Sequence, residues 1–253
     1  MKTGKVVAVI QARMGSTRLP GKVLAELCGM KMIDVLLRRV SLAEGVDEIV
    51  VATTDNPADD VLVDWLMAGG TRVWRGNESD VLDRYWRCAC MLEADVVVRL
   101  TADDPLKDPD IISQAVREFQ SFVHVDYVSN TIAPTFPEGL DVEVIGMQAL
   151  ERAHFEATRK SDREHVTPYI WRNAERFKVH SFGMTPDLSH WRWTVDHPVD
   201  LEFVRQLLAK SGNDVEIGYR RLIEVIIANP YLMDINAGIT RGAGYLASLQ
   251  QEE

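Results

Sequence analysis

Cysteine is scarce in this chain, and neither a long apolar run nor an excess of basic residues is present. Cys28, Cys88 and Cys90 lack the spacing of a structural zinc site and are too few for a disulfide framework, so all three read as buried or incidental thiols. Lys2 and Lys5 precede an apolar segment, Val6–Ile10, that passes straight into Gln11-Ala12-Arg13. That segment is too short for a membrane span or a signal peptide, and the cytoplasm is the expected compartment. The formal net charge of −10 argues against a general affinity for nucleic acid or anionic membrane, because such binders present a basic face. No internal repeat, low-complexity tract or linker-like stretch divides the chain, so residues 1–253 are expected to form one domain.

What is present is a 46% apolar composition, enough for a substantial core, and an alternation of strand and helix signals. Strands are expected at Val6–Ile10, Glu48–Thr53, Arg72–Trp74 and Val96–Leu100. Helices are expected at Met32–Val40, Ala58–Met67, Ser79–Leu92 and Pro109–Phe122. This order predicts a three-layer α/β/α fold of Rossmann-like type whose mixed sheet is mostly parallel. From Val125 the pattern changes. Strands at Asp126–Ser129, Asp141–Ile145, Lys178–Phe182 and Arg192–Val195 accompany helices at Met147–Arg159, Arg163–Arg172 and Val199–Lys210, and residues 124–175 read as a partly antiparallel segment.

The most specific stretch runs from Gln11 to Lys22 at the C-terminal end of the first strand, where open α/β sheets bind ligands. Gly15 and Gly21 let backbone N–H groups approach an anion, and Arg13, Arg18 and Lys22 supply positive charge suited to a triphosphate. The phosphate-binding loop of ATPases is excluded by its spacing: five residues separate Gly15 from Gly21, and Val23 follows Lys22 in place of Ser or Thr. Two acidic segments sit where they could face the same ligand. Thr101-Ala102-Asp103-Asp104-Pro105-Leu106 follows one strand, and Val195-Asp196-His197-Pro198-Val199-Asp200 follows another. Magnesium binds through one or two carboxylates plus phosphate oxygens, so these segments are candidate metal ligands. An Asp after a strand is as often a helix N-cap, and that reading stays open for Asp196 and Asp200.

The run Gln11-Ala12-Arg13-Met14-Gly15-Ser16-Thr17-Arg18-Leu19-Pro20-Gly21-Lys22 resembles the opening motif of the SpsF-like spore-coat polysaccharide cytidylyltransferases, relatives of the CMP-sugar-acid synthetases. The resemblance extends over essentially the whole chain and implies a nucleotide-diphospho-sugar transferase fold. It also implies a Mg²⁺-dependent enzyme that transfers CMP from CTP to a small anionic acceptor, releasing pyrophosphate in cell-surface polysaccharide biosynthesis. Asp103 and Asp196 carry over as metal ligands, while Asp104 falls on a variable position, either a second ligand or a solvated neighbour. Arg13, Lys22 and Asp103 become the catalytic candidates. Gln11, Ala12, Gly15, Ser16, Arg18, Asp80, Arg84 and Thr101 join them around the nucleotide, the segment Asp80–Trp86 having aromatic residues equally well explained as core. Glu138–Glu143 and Ser161–Tyr169 match two further family blocks, which makes Asp141, Glu143, Arg163 and His165 acceptor-binding candidates. A capped helix begun by Ser161 or Asp162 explains the second block as well. His197 and Val199 depart from the family pattern beside Asp196. The resemblance implies a homodimer joined through the middle segment, and a C-terminal tail, Asn236–Leu246, of no evident chemistry. Two rivals stand beside it: a metal-dependent glycosyltransferase on the same fold, which would favour an Asp-X-Asp pair over Asp103-Asp104, and a nucleotide-binding regulatory or assembly subunit without turnover.

Overall fold

In the computed structural model, which describes residues 4–250 and 252, strand β1 (Val6–Gln11) lies inside a seven-stranded sheet. Its apolar run is explained by burial on both faces. Val6, Ala8 and Ile10 join one core cluster while Val7 and Val9 join the other. A small hairpin, β2 (Glu26–Leu27) and β3 (Met30–Lys31), leads into α1 (Met32–Val40), β4 (Glu48–Thr54), α2 (Asp60–Ala68) and β5 (Arg72–Gly76). Then come α3 (Val81–Met91), β6 (Val96–Thr101), α4 (Pro109–Ser121), β7 (Tyr127–Ser129), β8 (Glu143–Gly146) and α5 (Met147–Glu156). The chain continues through α6 (Lys160–His165), α7 (Pro168–Arg172), β9 (Val179–Ser181), α8 (Pro198–Lys210), α9 (Tyr219–Ala228) and α10 (Ala243–Gln250).

The sheet order is β5-β4-β1-β6-β8-β7-β9. The first four strands are parallel, β8 runs antiparallel to β6 and β7, and β9 is parallel to β7. Apolar residues of α1, α2, α4, α8 and α9 cover one face, and those of α3, α5 and α7 cover the other. The expected three layers and mostly parallel mixed sheet are therefore present. Tyr85 belongs to the core, as its aromatic character allowed: it is fully buried, and its hydroxyl donates to the carbonyls of Val9 and Leu100. Cys28, Cys88 and Cys90 are all free thiols. No helix among the described residues is long and apolar enough to cross a membrane.

Two expected elements differ. Arg192–Val195 is extended but makes only an isolated bridge, Arg192 to Glu138, because its N–H groups are spent on loops. Trp193 N donates to Glu138 O (2.7 Å) and Val195 N to Asp103 O (2.8 Å). The helix expected over Arg163–Arg172 is two short ones, broken at Val166 just before Pro168, which cannot continue a hydrogen-bonded turn. Helix α6 already starts at Lys160, so neither Ser161 nor Asp162 caps it: Ser161 is bonded to Glu252, and Asp162 pairs with Arg172.

Candidate active site

Because β1 and β6 are paired in register, with Gln11 beside Thr101, the loops that leave them emerge side by side. Asp59 shapes the first loop from behind. Its buried carboxylate accepts from Met14 N (2.7 Å) and also from the hydroxyls of Thr53 and Thr54. The loop folds over the Met14 carbonyl, which accepts from Ser16 N (2.9 Å) and Gly21 N (3.1 Å). Gly21, at φ 70°, makes the left-handed turn that delivers Lys22 to the short helical turn Lys22–Leu24.

Lys22 is the hub. Only 5% of its side chain is exposed, and its Nζ lies 2.7 Å from Asp103 Oδ1, 2.9 Å from Asp196 Oδ1 and 2.7 Å from the Val195 carbonyl. Residues far apart in sequence thus share a single ammonium. Burial by itself would lower the Lys22 pKa, but the two carboxylates outweigh it and the net direction is upward. Asp196 has the opposite balance: burial would raise it, yet Lys22, Arg18 and Arg192 hold it at about 2. Asp103 remains accessible from the cleft (41%), but the surrounding protein displaces enough water to push its pKa up, an effect only partly offset by Lys22.

The two open readings of the second acidic segment divide between its carboxylates. Asp200 is fully buried and serves α8, accepting from the N–H groups of Asp196 (3.0 Å) and His197 (2.9 Å). Asp196 faces Lys22 and Arg18. Between them stands Arg192, which the sequence reading did not single out; it pairs with Glu138, Asp196 and Asp200. No local spacing signals it, because Arg192–Val195 is extended and its partners meet only in the tertiary fold. Asp104 is not a solvated neighbour. It is buried against Lys107 (2.8 Å) and Thr101 Oγ1 (2.5 Å), with Lys107 standing three residues along.

A cleft of about 830 Å³ opens over this hub. Gln11, Ala12, Arg13, Gly15, Ser16, Arg18, Lys22, Asp80, Arg84, Asp103, Arg163, His165 and Asp196 all line it. Thr101, Asp141 and Glu143 do not. Thr101 turns to Asp104, Asp141 pairs with Arg241, and Glu143 is buried with Arg99, Tyr127 and Thr167. Asp80 caps α3 through Asp83 N (2.9 Å) and grips Arg163 at 2.7 Å, tying two walls together. Glu78, Thr158, Lys160 and Glu164 also line the cleft and were not anticipated.

Among the described residues no cluster of three or more His, Cys, Asp or Glu could hold a metal by itself. Asp103 and Asp196 nevertheless fit a hard divalent cation that completes its shell with phosphate and water: both are oxygen donors, and the pair already accommodates an ammonium between them.

A family model described as "Cytidylyltransferase" matches residues 7–220. A Methanocaldococcus jannaschii protein is 36% identical over 239 residues, 93% of this chain and 96% of its own. The spore coat polysaccharide biosynthesis protein SpsF of Bacillus subtilis is 32% identical over 234 residues, covering 89% of this chain and 95% of SpsF. A solved cytidylyltransferase of Leptospira borgpetersenii superposes with a TM-score of 0.88 at 32% identity, covering 94% of this chain and all of that one. With the motif loop, the acidic pair and the cleft in one place, these likenesses establish that the chain belongs to the cytidylyltransferase family.

Proposed function

We propose that this enzyme transfers CMP from CTP to a small anionic acceptor, a sugar acid or a phosphorylated sugar, with release of pyrophosphate, in the making of a cell-surface polysaccharide. One observation carries the reading: Lys22 joins the cationic loop to both acidic segments at the base of a cleft large enough for a nucleotide and a second substrate.

In this reading the triphosphate lies along Arg13, Gly15, Ser16 and Arg18. A Cβ placed on Gly15 would meet nothing closer than Glu78 Oε1 at 3.8 Å, which leaves room for a phosphate to approach its backbone. Arg13 and Arg18 are about half exposed, and their ion pairs among the described residues are with Glu78 (3.3 Å) and Asp196 (3.0 Å), so both have room to turn to phosphate oxygens. Lys22 stabilises the charge that develops as the β- and γ-phosphates depart. Magnesium, held by Asp103 and Asp196, supplies charge neutralisation for the triphosphate when bound. Asp80 and Arg84 belong to the nucleotide wall, and Arg84 is 2% exposed with its Nε unpartnered among the described residues. Arg163, His165 and Lys160 form the acceptor end of the cleft. Asp141 and Glu143 act from behind it, through Arg241 and Arg99. Residues 1–253 work as one domain, and the segment 124–175 is where a second copy would join.

Crossing the four nucleoside triphosphates with a panel of sugar acids and sugar phosphates, with and without MgCl₂, tests this. Pyrophosphate release confined to CTP and magnesium is expected; release with a different nucleotide, or nucleotide binding without release, would overturn it.

A further inference from the structure

His165 ends α6 and is followed by a local backbone conformation that few β-branched residues adopt. Val166 sits at φ +73°, ψ −55°, and Thr167 N donates to His165 O at 2.8 Å, the three-residue γ-turn with positive φ. The turn is held from both ends. Val166 is fully buried, and the Thr167 hydroxyl donates to Glu143 Oε1 (2.5 Å). His165 is thereby fixed in the cleft wall with its ring edge-on to Tyr245 of α10 (5.2 Å, 80°).

The hydrogen bonds around the ring favour one tautomer. His165 Nε2 lies 3.0 Å from Ser248 Oγ, and Ser248 lies 2.9 Å from Glu164 Oε2 and 3.1 Å from the Gly244 carbonyl. A serine hydroxyl has one hydrogen, and both of the latter partners only accept, so the arrangement that satisfies all three contacts has His165 Nε2 donating to Ser248. The lone pair of the neutral ring is then on Nδ1, which has no hydrogen-bond partner among the described residues. Burial lowers the His165 pKa and Glu164 only partly restores it, so the ring is neutral near pH 7. The charged groups that act on it are Glu164 on its own helix, Arg99 on β6 and Glu143 on β8.

We infer that His165 is the general base of the reaction and that the acceptor attacks through a hydroxyl group. This rests on the cytidylyl-transfer reading. The acceptor oxygen forms a bond to the α-phosphorus as the bond from that phosphorus to the β-phosphate bridging oxygen breaks. The hydroxyl proton passes to Nδ1, and pyrophosphate leaves. The imidazolium so formed is steadied by Glu164 through Ser248, then returns its proton to water. Ser248 and Glu164 are positioning residues, which gives the C-terminal helix a task that the sequence does not reveal. Lys160 lines the same end of the cleft without an ion-pair partner among the described residues, and is placed to meet the acceptor's anionic group.

The test combines nitrogen-15 NMR of the His165 ring with steady-state kinetics of pyrophosphate release, using CTP, MgCl₂ and whichever hydroxyl-bearing sugar acid or sugar phosphate is turned over. The spectrum should show the proton on Nε2, and S248A should mix the two tautomers. H165N should lower kcat about 10²- to 10⁴-fold and abolish the acidic limb of the pH profile, with CTP affinity by calorimetry within about threefold. S248A should lower kcat less than H165N. A proton on Nδ1, or H165N turning over within threefold of the wild type, overturns the assignment, as does turnover only with acceptors that attack through a phosphate oxygen. A wild-type enzyme releasing no pyrophosphate from CTP with any acceptor would overturn the transfer reading itself, and this assignment with it.

Discussion

Replacing Lys22 with Met removes the ammonium that bridges Asp103 and Asp196 while keeping most of the side-chain volume. Lys22 is 5% exposed, but its partners are 41% and 21% exposed, so the cost lies between that of breaking a buried pair and an open one. Breaking a fully buried pair costs about 3–5 kcal/mol and a surface pair under about 1, which places K22M near 2 kcal/mol. At this chain length that corresponds to a fall in Tm of roughly 4–8 °C in metal-free buffer. The sign of the magnesium effect is the sharper part. With the ammonium gone, two adjacent carboxylates are left to attract a cation, and a ligand at one hundred times its Kd returns about 2.7 kcal/mol. A MgCl₂ titration followed by thermal melting should therefore raise the Tm of K22M more than that of the wild type, where Lys22 competes for the same oxygens. Turnover should stay at least about 10²-fold down even in saturating magnesium, because the cation cannot replace Lys22 at the departing phosphates. Equal magnesium shifts in both proteins, or none in the variant, would mean that Lys22 and the cation do not share these carboxylates.

Three further outcomes are expected. Asp103→Asn should lower kcat about 10²- to 10³-fold with Tm within a few degrees of the wild type, since Asp103 is the accessible member of the pair; pyrophosphate release and thermal melting check it. Asp196 is held at about 2, below the usual unfolded value near 3.9, so its contribution of roughly 2 kcal/mol is complete above pH 4 and lost as pH falls toward 2. Urea unfolding across that window should therefore show a shallower acid limb in Asp196→Asn. Gly139 has φ +106°, and a Cβ there would meet Thr194 N at 2.7 Å and the Trp193 carbonyl carbon at 2.8 Å. Gly139→Ala should then cost on the order of 2 kcal/mol or more and lower turnover too, because the displaced segment carries Asp196; calorimetry with activity assays would show both.

The parallel half of the sheet was legible because its strands carry short apolar stretches between periodic helices, unbroken at Val6–Ile10 and followed by the amphipathic Met32–Val40. The cationic loop was legible because glycine and charge spacing carry their own geometry. Contacts that close over long sequence distances were not. Arg192–Val195 has a strand's composition, but its N–H groups go to Glu138 and Asp103, which only the tertiary fold brings near. Glu143 looked like a substrate contact, yet it stands opposite Arg99 in the antiparallel register and is used up there. The helices α9 and α10 were not anticipated. In α10 the described side chains are not buried, so no apolar stripe marks it, and its role depends on Tyr245 and Ser248 reaching α6.

The most direct measurement is a crystal soaked with a non-hydrolysable CTP analogue and Mn²⁺, read by anomalous scattering. A manganese peak ligated by Asp103 and Asp196 is expected, with the triphosphate along residues 13–22. Manganese bound elsewhere, or a triphosphate lying away from Lys22, would contradict it.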